Sequence, residues 1–393
     1  MGTMAGGAMI PRILADRAKQ LSEWFPVVSV TGPRQSGKTT LVRSVFKDYE
    51  YLNLEDPQLR TAALEDPVGF IRNRSGKLVL DEVQYVPDLF SMIQVVSDER
   101  GAVGQYVLSG SQNFLLLDSI TQSLAGRVGL LKLLPLSYGE TLRDSPSLSS
   151  DDFMLRGGYP RLYDTGMPYD VFFDNYINTY IERDVGEYLD VRNLTAFRRF
   201  LGLCALNAGN LVNYSKLANE LEVAAATVRS WTSVLESSYI TFSLMPYAAN
   251  IRKRLTKTPK LYFYDTGLLC HLLGYDALED LLVSPHLGMV FENLIIAETM
   301  KRYLNQGREP RLMFYRDDSK VEVDLLDYTD MRHPRLVEIK SGQTYHDRFA
   351  KSVGTVGAQL GIPEDERYVV IRVADSFQSK GVHVVSAADW LTR

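Results

Sequence analysis

Gly32-Pro33-Arg34-Gln35-Ser36-Gly37-Lys38-Thr39 follows the apolar run Pro26 to Thr31 and precedes the amphipathic segment Leu41 to Phe46. Strand, glycine-bounded loop and helix in that order make a phosphate-binding P-loop. The glycines let backbone N–H groups approach a polyphosphate, and the helix N-terminus adds partial positive charge. Lys38 is placed for the β- and γ-phosphates and the Thr39 hydroxyl for Mg²⁺, with Thr40 next in the contacting run.

About forty residues on, Lys77-Leu78-Val79-Leu80-Asp81-Glu82 reads as a buried strand ending in two carboxylates, the Walker B pattern. Asp81 is expected to hold hydrated Mg²⁺ and Glu82 to polarise the attacking water. A third strand, Gly104 to Leu108, ends in Ser109-Gly110-Ser111-Gln112-Asn113. If it lies between the other two, Ser109, Ser111 or Asn113 becomes a sensor of the γ-phosphate. Arg127 precedes the apolar strand Val128 to Pro135, where an arginine finger would reach a neighbouring subunit's nucleotide.

The 393 residues suggest two or three domains, and 45% hydrophobic with 23% charged content is ordinary for globular chains. No apolar run approaches a membrane span. Met1 to Met9 lacks the charged and apolar regions of a signal peptide and is left out of the fold. Cys204 and Cys270 stand far apart in apolar surroundings, which suits a reducing, cytoplasmic setting. His271, His286, His333, His346 and His383 do not fall at ligand spacing. A net charge of -5 gives no global pull toward nucleic acid, so such binding would need local patches.

Beyond the first sheet, Phe153 to Asp184 reads as a helical lid containing Gly157-Gly158-Tyr159-Pro160-Arg161. Pro160 or Arg161 in that turn would press on bound nucleotide, or the turn simply joins two helices. Tyr214 to Leu221 and Ala225 to Leu235 form a helix-turn-helix, and strands Tyr239 to Tyr247 and Lys260 to Tyr264 complete a winged helix. Thr227 and Arg229 are candidate groove contacts. Arg252, Lys253, Arg254, Lys257 and Lys260 are expected at the wing tip as a phosphate-contacting cluster.

Further on, Val321 to Leu326 places Glu322 and Asp324 on one strand face, and Leu336 to Lys340 does the same for Glu338 and Lys340. Asp followed by Glu-x-Lys is the nuclease-like pattern. Asp324 and Glu338 would bind divalent metal, Lys340 would orient water, and Glu292 would complete the set from the preceding helix.

Taken together, Gly32 to Thr39, Leu80-Asp81-Glu82, Ser109 to Asn113, Leu124 to Arg127, Gly157 to Pro160, Phe291-Glu292 and Val337 to Lys340 resemble one family along nearly the whole chain. It is that of the prokaryotic AAA-type ATPases ending in domain of unknown function 4143. The resemblance implies an α/β chain: an AAA+ P-loop NTPase core with a parallel sheet (10–136), a small helical lid (137–184), a winged helix (185–280) and a restriction-endonuclease-like α/β domain (281–393). The expected activity is Mg²⁺-dependent ATP hydrolysis in a homo-oligomeric ring, a hexamer by preference. The ATPase is then a motor that moves branched or damaged DNA past the metal-dependent nuclease domain, or a nucleotide-controlled switch or scaffold that binds protein partners and cuts nothing.

Overall fold

The computed structural model describes residues 9–74, 76–110, 123–181, 194–248 and 258–393. Ser111, Asn113, Arg252, Lys253, Arg254 and Lys257 lie outside them. Strands β1 (Val27–Thr31), β2 (Glu50–Asn53), β3 (Leu78–Asp81), β4 (Tyr106–Gly110) and β5 (Val128–Lys132) form a parallel sheet in the order β2-β3-β4-β1-β5. β1, β3 and β4 are fully buried runs, as strands covered by helices on both faces must be. Separate apolar cores fill the two faces, one around Leu80 and Phe90, the other around Val30 and Leu41.

The order explains the site. β4 lies between β1 and β3, and the register pairs Thr31 with Gly110 and Asp81 with Ser109. The carboxyl ends of three strands therefore finish at one level, and chain direction there opens a crevice suited to a ligand.

The second sheet is mixed and holds eight strands: β6 (Thr241–Pro246), β7 (Lys260–Phe263), β8 (Leu312–Arg316), β9 (Glu322–Asp327), β10 (Arg335–Lys340), β11 (Arg367–Ile371), β12 (Phe377–Ser379) and β13 (Val382–Ser386). β6 and β7 are the antiparallel hairpin that follows the helix-turn-helix, whose helices are Tyr214–Leu221 and Ala225–Ser237. β6 then runs on to pair in parallel with β8 through Met245 and Pro246, so the hairpin is the edge of the C-terminal sheet. One apolar core extends from Leu134 through Phe173, Trp231 and Phe291 to Trp390, joining lid, helix-turn-helix and one face of this sheet.

The helix Leu287–Asn305 crosses that core and is largely buried. The Asn293 side-chain amide exchanges two hydrogen bonds of 2.8 Å with the Phe263 backbone, satisfying polar groups on edge strand β7. Among the described residues no helix is long and apolar enough to cross a membrane.

Candidate nucleotide site and a second carboxylate cluster

Gly32 approaches β5 so closely that a Cβ there would lie 2.1 Å from the Leu133 carbonyl oxygen, and Gly37 caps the helix Lys38–Val45 at φ 92°. Both positions exclude a side chain, one by contact and one by conformation. The buried Lys38 ammonium turns into the loop, donating to the Gly32 and Pro33 carbonyls at 3.0 and 2.8 Å.

Asp81 is the organising carboxylate. Its Oδ2 accepts from the Thr39 hydroxyl at 2.7 Å and the Tyr51 hydroxyl at 2.6 Å. Its Oδ1 accepts from the Ser109 hydroxyl at 2.5 Å and the Glu82 N–H at 3.2 Å. Of the three sensor candidates, Ser109 is therefore brought to the site by the β3–β4 register. Glu82 sits in the left-handed region at φ 54°, a strain of about 1 kcal/mol for a residue with a side chain. Gln84 donates to Glu82 Oε2 at 2.5 Å and fixes the carboxylate.

Two cavities meet at Gly37. One of about 270 Å³ opens over the loop between Gln35, Lys38, Thr39, Glu55 and Glu82. The other, about 470 Å³, is walled by Ile10, Arg12, Thr40, Leu41, Leu136 and Pro160. Pro160 thus reaches the site from the lid, whereas Arg161 is exposed at the start of the short helix Arg161–Asp164.

Arg12 braces the second cavity, donating to Glu140 at 3.1 Å, the Ser36 carbonyl at 2.7 Å and the Leu134 carbonyl at 2.6 Å. Burial alone would raise the Glu140 carboxyl, but the Arg12 guanidinium and the Ser137 and Ile13 N–H donors hold it below the usual range. Arg127 makes a two-pronged ion pair with Asp98 of the same chain at 2.6 and 2.9 Å.

The C-terminal candidates also come together. Lys340 lies 2.7 Å from Glu338 and 3.5 Å from Asp324, and Asp324 Oδ2 accepts the Ile339 N–H at 2.7 Å. Glu292 accepts from the Tyr262 hydroxyl at 2.6 Å.

Lys260, expected at an exposed wing tip, is instead buried here, 3.4 Å from Glu292 and 2.7 Å from Glu322. Its place in β7, an edge strand of the sheet, sets it against two carboxylates that compensate its charge. Burial alone would lower its pKa, but Glu292 and Glu322 hold it up. Burial, then the charge of Asp324, pushes Glu292 up to about 7 and Glu338 up to about 8. Glu338 Oε2 is buried with no hydrogen-bond partner among the described residues. No three Asp, Glu, His or Cys side chains among the described residues form a group that could hold a metal ion. In the helix-turn-helix, Arg229 is exposed and stacks 4.6 Å over the Tyr214 ring, while Thr227 is half-buried.

Sequence reasoning missed Tyr51, Gln84, Arg12 and Glu140. Gln84 alone had a local signal, two residues from Glu82; the others meet their partners across long stretches of chain.

Residues 25–142 match the family described as an AAA domain, residues 148–279 a domain of unknown function (DUF8612), and residues 287–390 a domain of unknown function (DUF4143). The chain is 35% identical over 339 residues to Rv2008c of Mycobacterium tuberculosis, covering 85% of this chain and 74% of that one. It is 22% identical over 355 residues to MJ1544 of Methanocaldococcus jannaschii, covering 82% of this chain and 77% of that one. Among solved structures, the Walker-type ATPase PABY2304 of Pyrococcus abyssi is similar at a TM-score of 0.43 and 13% identity, over 66% of this chain and 94% of that one. The chain belongs to the family of AAA-type P-loop ATPases that carry a C-terminal DUF4143 domain.

Proposed function

We propose that this chain is a Mg²⁺-dependent ATPase that hydrolyses ATP to ADP and phosphate and passes its nucleotide state to the C-terminal half. The carrying observation is the convergence of Lys38, Thr39, Asp81, Ser109 and Glu82 on one crevice beside two cavities that share Gly37. The phosphates take the loop cavity, against the Lys38 ammonium and the N-terminus of its helix. The base takes the larger cavity between Ile10, Leu41 and Pro160.

A hydroxyl and a carboxylate oxygen 2.7 Å apart are hard donors that fit Mg²⁺, so Thr39 and Asp81 are the residues to hold it. The metal supplies charge neutralisation of the phosphates. Glu82, steadied by Gln84, accepts a hydrogen bond from the attacking water and orients it. Arg127 acts in trans in a ring after leaving Asp98, and the ring is part of this proposal.

Two contacts support transmission. The Tyr239 hydroxyl, beside β6, bonds to the Thr31 hydroxyl at 2.8 Å, one residue before the loop. From the helix that carries Glu292, Glu298 accepts the Tyr138 N–H at 2.8 Å and Lys301 donates to the Leu136 carbonyl at 3.2 Å. Leu136 walls the base cavity, so one helix touches both the nucleotide site and the second carboxylate cluster.

For the output, the exposed Arg229 supports DNA as the ligand of the helix-turn-helix, with the ATPase working as a motor on branched or damaged DNA. A second reading is a switch that binds partners and cuts nothing. It is favoured by Lys260, a cation outside the nuclease-like pattern that lies 3.4 Å from Glu292, one of the carboxylates a nuclease would give to metal. Hydrolysis assayed with single-stranded, duplex and four-way-junction DNA separates them. Several-fold stimulation by one DNA form is expected of the motor; indifference to every form, with intact basal turnover, removes it and leaves the switch.

A further inference from the structure

We infer that the Tyr51 hydroxyl competes with the metal's water for Asp81, and so sets how tightly the site takes Mg²⁺. The inference rests on the ATPase reading above. An ionised carboxylate offers about four acceptor directions. Asp81 has four donors on it: Thr39 and Tyr51 on Oδ2, Ser109 and the Glu82 N–H on Oδ1. Mg²⁺ gives up its water reluctantly, so a carboxylate beside it is met through water that needs an acceptor direction of its own. One of the four donors has to yield.

Thr39 need not, because a hydroxyl can offer its oxygen to a metal while its proton stays on Asp81. The Glu82 N–H is fixed by the backbone of the next residue, and the Ser109 hydroxyl sits on a short, fully buried side chain in register with Asp81. Tyr51 is the donor with freedom to leave. It stands on β2, the edge strand of the sheet, and is half-buried. Its ring packs 4.9 Å under the Arg43 guanidinium, a contact a small swing of the phenol can keep.

The test is calorimetric titration of MgCl₂ into ADP-loaded protein, which needs no turnover. Tyr51→Phe keeps the ring and removes the competing proton. Its Mg²⁺ dissociation constant is expected to fall by about three- to tenfold, the scale of one ordinary net hydrogen bond. Tyr49→Phe is the control. Its hydroxyl donates to the Gly104 carbonyl and not to Asp81, so that variant should titrate like the wild type. Unchanged or weaker Mg²⁺ binding in Tyr51→Phe overturns the inference, since it would make the phenol a neutral or supporting neighbour.

The wild-type chain gives a second readout that does not depend on the variant folding. Release of a carboxylate-bound phenol shifts tyrosine absorbance, so MgCl₂ added to ADP-loaded protein is expected to produce a tyrosine difference spectrum. A flat difference spectrum at saturating Mg²⁺ counts against the proposal. Failure of ADP to bind the wild-type protein would count against the nucleotide reading instead.

Discussion

At the tip of β3, Asp81 meets hydroxyls and Glu82 meets a side-chain amide, and the Lys38 ammonium turns into the loop beside them. On β9 and β10, Asp324 and Glu338 meet an ammonium instead, and Glu292 shares Lys260 with Glu322. Both clusters set acidic residues of a sheet close to a lysine. A hydroxyl can turn away and free an acceptor direction of its carboxylate, whereas Lys260 and Lys340 are each held between two carboxylates. The first arrangement suits a site that loads and unloads a metal–nucleotide complex. The second suits a closed polar knot inside a sheet, strongly held and costly to break.

Lys38→Ala sharpens the contrast most. Its ammonium is the charged donor nearest the proposed phosphates, so nucleotide affinity should drop about 100-fold or more by calorimetry, as expected for losing a charged hydrogen bond in a confined site. Binding within a few-fold of wild type would mean that the loop cavity does not take phosphates.

The matching change in the other cluster is Lys260→Met, which should leave nucleotide binding intact and lower stability by about 3 kcal/mol, because a buried carboxylate then loses its cation. The sign of its pH dependence follows from the raised carboxyls. Glu292 and Glu338, near 7 and 8 when folded, hold protons that an unfolded chain releases at lower pH. Their stabilisation is full below the unfolded values and is lost as pH rises through the folded ones. Without Lys260 to favour the ionised form of Glu292, thermal melts should show a larger deficit at about pH 8 than at about pH 5. A deficit independent of pH would mean that Lys260 acts through packing, not charge.

The legible parts were those whose chemistry is written in contiguous residues. The loop from Gly32 to Thr39, the strand ending in Asp81-Glu82 and the alternation that puts Glu338 beside Lys340 each need only local geometry. Even the position of β4 between β1 and β3 was foreshadowed by polar residues ending an apolar strand. Tyr51 was not legible, because a tyrosine on a short strand is ordinary core material until β2 is known to lie beside β3. Arg12 and Glu140 meet across 128 positions, and Tyr239 and Thr31 across 208, so no periodicity announces either pair. Lys260 misled for a related reason: a basic residue next to a basic run reads as solvent-facing, and only the place of β7 at the sheet edge, against the helix that carries Glu292, reveals its burial.

In the proposed reaction, the crevice at the ends of β1, β3 and β4 hydrolyses ATP with Glu82 orienting the water. Phosphate release from ATP and Mg²⁺, measured side by side with ATP binding for the wild type and Glu82→Gln, tests it most directly. The wild type is expected to turn ATP over, and the Glu82→Gln protein to bind ATP normally but turn it over about 100-fold or more slowly, the usual scale for losing a positioned base. Equal turnover in the two proteins would contradict it.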